Sequence, residues 1–323
     1  MAGIDLPPAD RLEQVLLGGP RRYTRLQAAD RAGIPPELAK ALWLALGFAS
    51  MPDDEVAFTD EDVTALKHAA GLVEAGLIDA DTLQSVTRMV GQSMSRLAEW
   101  QGQLLVSLLT ERPQAIPDGD LAGFVASLEP VLRQVQVHVW RRHLAAASQR
   151  LLTSEGTDPG SATLVVGFVD LAGYTSLSRQ LAVPELSAVL EEFESLVAGL
   201  VAEQHGRIVK TIGDEVLYVV ASPVGAAEIA LRLQERAAAS ELLPPIRIGL
   251  ALGTVLSRYG DVYGQVVNIA SRLTGLARPA TVLIDEQLAG ALADDPSYQI
   301  SRLRPTSVRG YRHLNGYRLR LAE

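Results

Sequence analysis

The sequence predicts an α+β protein in which an all-helical N-terminal domain precedes a ferredoxin-like βαββαβ domain. Three observations carry this. Apolar residues recur at spacings of three and four through most of the first 150 positions. A run of small, turn-forming residues, TSEGTDPGSA, follows. Beyond it, short β-branched runs alternate with amphipathic helices. The predicted organisation is a helical domain over 1–152, a linker over 153–162 and an α+β domain over 163–323.

In the first part, RLEQVLLGG, PPELAKALWLALGF, EDVTALKHAAGLVEAGL and DTLQSVTRMVGQSMSRLAEWQGQLLVSLL have helical periodicity, and Leu121 to Leu152 gives one more long helix. Thr59 before Asp60-Glu61-Asp62, and Asp79 before Ala80-Asp81, are N-cap signals with acids in the first turn. In the second part, TLVVGFV reads as a central strand and PELSAVLEEFESLVAGLVAEQ as a helix. RIVKTI and EVLYVVAS are strands separated only by Gly213-Asp214, a strong hairpin signal. VGAAEIALRLQERAAA is a helix, IRIGLALGTVL a strand, and another helix begins near Val266. TVLID, a short helix, YQISRL and a closing hairpin, VRGYRHLNGYRLRLA, complete the chain. Strand–helix–strand–strand–helix–strand is the order of a ferredoxin-like sheet.

Composition narrows the function. A chain of 323 residues that is 48% hydrophobic can bury real cores and is not a disordered composition. No stretch approaches the roughly 18 apolar residues of a membrane span. The first residues are acidic where a signal peptide is basic and lack its apolar stretch, so the expected location is cytoplasmic. With no cysteine, disulfides, thiol catalysis and cysteine zinc sites are excluded. The net charge is −9, and residues 1–120 hold 18 acids against 10 Lys and Arg, or −8. That acidity is a poor match for nucleic acid, so none is expected as a partner. It outweighs the helix–turn–helix look of YTRLQAADRAGIPPELAKALWLALGF, which is read as part of a helical interaction domain.

Three motifs carry chemistry. In VGFVDLAGYTSLS, Asp170 falls where an apolar strand ends, and Asp214 sits on the tip of the tight hairpin. If the two strands are neighbours, the carboxylates converge, and two oxygen donors suit hard divalent cations. Alone, each is an ordinary aspartate of a cap or turn. Residues 171–175 offer backbone amides that could meet phosphates. Lys210, in VKTIGD, is one of only three lysines in an arginine-rich chain. A compact ammonium can donate to one ring nitrogen, and Asp261 in GDVYGQ could accept from an exocyclic amine, the pattern adenine presents. In VVNIASR, Asn268 and Arg272 share one helix face, where they could orient a ribose and stabilise charge on a phosphate.

Together FVDLAGYTSLS, RIVKTIGDEV and GDVYGQVVNIASRL closely resemble the catalytic domain of class III adenylyl cyclases, over the span from Thr163 to the end. The resemblance implies conversion of ATP to 3′,5′-cyclic AMP and pyrophosphate. It implies Asp170 and Asp214 as ligands of two Mg²⁺ or Mn²⁺ ions per site, Lys210 and Asp261 as readers of adenine, and Asn268 and Arg272 as the transition-state pair. In that family each site is assembled from two catalytic domains. One chain here carries both halves of the set, which implies a homodimer with two equivalent sites. Arg309 and Arg312 fall where relatives often place a triphosphate-binding residue. The layout also resembles two-domain actinobacterial cyclases whose helical N-terminal domain regulates catalysis, in some cases according to pH. His138 and His143, in VHVWRRHLAAA, are the candidate titrating residues. Competing readings are a guanylyl cyclase, which the Lys210/Asp261 polarity opposes, and a non-catalytic nucleotide-binding dimerisation module.

Overall fold

The computed structural model describes residues 8–111, 120–153, 160–308 and 311–322. The chain divides into two compact units, Met1–Ala147 and Ser148–Glu323. The first is helical: α1 (Pro8–Leu16), α2 (Arg25–Ala32), α3 (Pro36–Ala45), α4 (Asp60–Glu74), α5 (Ala80–Glu111) and most of α6 (Leu121–Thr153). The caps expected from sequence form. Thr59 makes a reciprocal capping box with Asp62, and Asp79 Oδ1 accepts from the Thr82 amide at 2.7 Å. Ala28, Ala29, Leu42, Phe58 and Val63 supply the small core.

The α2–α3 segment has the helix–turn–helix outline, but the arginines in and just before it are committed, which leaves Lys40 as its exposed cation. Arg25 is only 5% exposed and hydrogen-bonds Asp53 and the Pro36 carbonyl. Arg21 pairs with Glu13, Arg22 with Asp60, and Arg31 lies over the Tyr23 ring. Guanidinium groups neutralised this way leave little free charge for a phosphate backbone.

The second unit is built on an eight-stranded sheet in the order β2-β3-β1-β4-β6-β10-β7, with β5 paired to β4. The strands that matter for the site are β1 (Ser161–Leu171), β2 (Arg207–Ile212), β3 (Glu215–Val220), β4 (Ile246–Arg258) and β5 (Asp261–Tyr263). The order β2-β3-β1-β4, all antiparallel, is the ferredoxin-like arrangement expected from sequence. β6 (Thr281–Ile284) joins β4 in parallel.

Strand alternation separates two cores. Beyond the short helix α7 (Tyr174–Gln180), Val165, Val169 and Leu171 of β1, with Val216, Tyr218 and Val220 of β3, face α8 (Val183–Glu203) and α9 (Pro223–Ala239). Val166 and Phe168, with Leu217 and Val219, face the other way, beneath α10 (Gln265–Leu276). That helix lies close on the sheet because β4 has a glycine under it. A Cβ on Gly249 would sit 2.3 Å from the Thr274 amide nitrogen and 2.5 Å from the Ala270 carbonyl oxygen.

The chain's end differs from expectation. β9 (Tyr311–Leu314) does not form a hairpin with β10 (Tyr317–Leu321). It pairs with β8 (Thr306–Val308), while β10 enters the main sheet between β6 and β7 (Tyr298–Arg302). Burial decides it: Leu319 is only 2% exposed and joins the larger core, with Tyr317 packed against that core.

Candidate active site

The Gly213-Asp214 pair forms the predicted two-residue turn. Ile212 and Glu215 face each other across it, and Gly213 takes the positive φ, 63°, that such a turn requires. This tip reaches the end of β1, where the Leu171 amide donates to the Asp214 carbonyl at 3.3 Å. The Asp214 and Asp170 carboxyl groups are close enough to influence each other's titration. Asp170 stands opposite Glu215 on β3 and opposite Arg247 on β4, so all three share the α10-side face of the sheet. Arg247 Nη2 donates to Asp170 Oδ2, with the Asp170 side chain only 13% exposed.

Arg247 is the residue the sequence analysis missed. Its signal was a lone charge inside the apolar strand IRIGLAL, but its partner lies 77 positions away and follows only from register. The buried Nε of Arg247 has no hydrogen-bond partner among the described residues. The expectation of free amides over 171–175 is corrected at its first two positions. The Leu171 amide bonds Asp214 and the Ala172 amide bonds the Pro245 carbonyl at 2.8 Å, because both continue the sheet's closure.

Burial, reinforced by the hydrogen bond and charge of Asp170, pushes the Asp214 carboxyl up to about 6. Burial, then the charges of Asp170 and Asp214, push Glu215 up to about 7. Both groups therefore keep protons in the folded chain that the unfolded chain has released. The unfolded state binds fewer protons between about pH 4 and pH 7, so stability falls as pH rises across that window. The thermal midpoint of the metal-free chain is expected to drop across it, and Mn²⁺, which binds the deprotonated carboxylates, to offset the drop. A midpoint that climbs with pH in the absence of metal would contradict this electrostatic picture.

Lys210 and Asp261 come together from β2 and β5: Nζ lies 2.5 Å from Asp261 Oδ2, and Asp261 Oδ1 accepts from the Val262 amide at 2.8 Å. Lys210 faces Leu217 across the strands, which puts it on the α10 side as well. Asn268 and Arg272 occupy the exposed face of α10, one turn apart. Among the described residues, no hydrogen bond or ion pair joins them to either carboxylate cluster. Arg309 lies outside the described residues, and Arg312 is on β9. His138 and His143 are exposed on α6.

Two hard oxygen donors, one pushed up to about 6 by burial and by its carboxyl neighbour and the other held by a guanidinium, are a donor set that fits divalent Mg²⁺ or Mn²⁺. No described helix is long and apolar enough to cross a membrane.

Residues 159–320 match the model of the adenylate and guanylate cyclase catalytic domain. An adenylate cyclase of Streptomyces coelicolor is 45% identical over 289 residues, covering 88% of this chain and 76% of that protein. One from Glutamicibacter nicotianae is 37% identical, covering 97% and 82%. A pH-sensitive adenylate cyclase of Mycobacterium tuberculosis is 30% identical, covering 95% and 80%. With its second unit matched by the family model and relatives of this identity along most of its length, the chain belongs to the adenylate and guanylate cyclase catalytic domain family.

Proposed function

We propose that the chain is an adenylyl cyclase that works as a homodimer with two equivalent composite sites, under the control of its helical N-terminal unit. The observation that carries the choice of substrate is the Lys210–Asp261 pair. An ammonium donor and a carboxylate acceptor, 2.5 Å apart, match the N1 acceptor and 6-amino donor of adenine. Guanine presents the opposite polarity, a 6-oxo acceptor and an N1 donor, so the same pair disfavours a guanylyl cyclase.

Asp170 and Asp214 would hold the divalent cations, whose chemistry when bound is to neutralise phosphate charge and acidify the attacking hydroxyl. Arg247, which donates to Asp170 and has an Nε without a partner among the described residues, would stand ready to donate to the phosphates. Asn268 positions the ribose. Arg272 meets the negative charge that builds on the α-phosphate as the 3′-oxygen attacks. The 3′-O–P bond forms, the bond to the bridging α–β oxygen breaks, the hydroxyl proton leaves and pyrophosphate departs.

Asn268 and Arg272 face solvent on α10, and among the described residues no hydrogen bond or ion pair joins them to Asp170 or Asp214, which supports a site completed by a second copy. Mixing experiments test this directly. Full-length Asp170→Asn and Arg272→Ala chains are each expected to make almost no cyclic AMP from ATP. Mixed at equal amounts they pair, and each mixed dimer retains one intact site, so activity returns to about a quarter of the unmutated level. Product from ATP should exceed product from GTP in the same assay. Failure of the mixture to recover, with mixed dimers demonstrated, would rule out the composite site. Equal use of GTP would rule out the base assignment.

A further inference from the structure

Arg207 opens the RIVKTIGDEV segment with no role assigned to it, yet it grips the loop that presents Asp261. β4 and β5 are joined by the two-residue turn Tyr259-Gly260, with Arg258 facing Asp261 across it. Both turn residues have positive φ, 53° and 81°, the geometry of a type I′ hairpin, which for a tyrosine is strained. Asp261 is the first residue after this turn, so the direction of its carboxylate depends on how the turn is held. The Arg207 Nη1 donates to the Gly260 carbonyl at 2.9 Å, from 53 positions away.

The strand geometry that makes this possible is unusual. Arg207 and Lys210 are three apart, and on a regular strand they would point to opposite faces. β2 has a register shift between Ile208 and Lys210, so Arg207 faces Val219 and Lys210 faces Leu217. Val219 and Leu217 both belong to the core beneath α10, so the bulge turns both cations to one side. One strand then holds the β4–β5 turn at two points: Arg207 at the backbone of Gly260, and Lys210 at the side chain of Asp261. The guanidinium is half-buried, its pKa drawn down by burial and then by the like charge of Arg150, while the charge of Asp261 opposes that shift.

We propose that Arg207 is a positioning residue for base recognition, holding the Tyr259-Gly260 turn so that Asp261 and Lys210 face the purine as one donor–acceptor pair. The proposal rests on the assignment of that pair to adenine. It predicts an effect on nucleotide affinity and choice, not on the bond-making step.

The test uses full-length chains with Arg207→Gln, Arg207→Lys, Asp261→Ala and the double change Arg207→Gln/Asp261→Ala, each checked for an intact melting transition. KM and kcat are measured for ATP and for GTP. Loss of one anchoring hydrogen bond is expected to raise KM for ATP about three- to tenfold in Arg207→Gln, with kcat within about twofold, and to narrow the preference for ATP over GTP. Arg207→Lys, which can still donate to the carbonyl, should recover part of that loss. Once Asp261 is gone there is nothing left to position, so adding Arg207→Gln should change KM by less than about twofold.

Unchanged KM and selectivity in Arg207→Gln would overturn the proposal. So would equal effects with and without Asp261, or a fall in kcat at constant KM. If Asp261→Ala itself leaves the ATP-to-GTP ratio untouched, the base assignment fails first and takes the proposal with it.

Discussion

Asp170→Asn is expected to reduce cyclic AMP production from ATP by about a thousandfold, the scale of losing a principal charge-stabilising group at a phosphoryl centre. The side chain keeps its shape, and β1 keeps its register between β3 and β4, so the fold should persist. What disappears is one of two converging carboxylates and, with it, the countercharge of Arg247. Without the charge of Asp170, Asp214 moves down from about 6 toward the ordinary carboxylate range, although burial still holds it up. The accompanying measurement is a Mn²⁺ titration, in which the midpoint for activation should rise. Residual activity within tenfold of the unmutated chain at saturating metal would exclude Asp170 as a metal ligand.

The second large effect is expected far from any charge. Gly249→Ala places a methyl 2.3 Å from the Thr274 amide nitrogen and 2.5 Å from the Ala270 carbonyl oxygen, and both are backbone atoms of α10. No side-chain rotation relieves that overlap, so the helix must lift from β4. Overpacking of this kind costs about 1–3 kcal/mol, and more where backbone has to move. The Thr274 hydroxyl, which donates to the Ala270 carbonyl at 3.0 Å and reaches the Phe168 carbonyl at 3.4 Å, would lose its seat. Because α10 carries Asn268 and Arg272, a displacement of about 1 Å is expected to lower kcat about a hundredfold. Gly275→Ala, on the same helix with open space around it, is the control and should leave both melting and turnover near their starting values. Similar behaviour of the two variants would mean that α10 is not held by contact at Gly249.

What the sequence revealed depended on how local the physics was. The Gly213-Asp214 turn, the Thr59 cap and the ferredoxin-like strand order each follow from a few adjacent residues, and each appears in the structure. Arg247 did not stand out because its meaning is a register fact: only the alignment of β1 on β4 brings it to Asp170. The same holds for Arg207, whose direction is set by a bulge that no residue type in RIVK announces. At the chain's end, VRGYRHLNGYRLRLA read as a local hairpin, but burial of Leu319 in a distant core won. The meeting of Asp170 with Asp214 was legible as a condition on neighbouring strands, and β1 and β3 are neighbours.

Lys210 is the only lysine between Ser148 and Glu323, and its amine is held against Asp261. A gentle amine-acylating reagent therefore has one internal target in that unit. The extent of labelling at this position, read by mass spectrometry, becomes a footprint of the base-binding corner in any preparation, without substitution, fluorophore or isotope. A protein poor in lysine has, in effect, left its most informative atom chemically addressable.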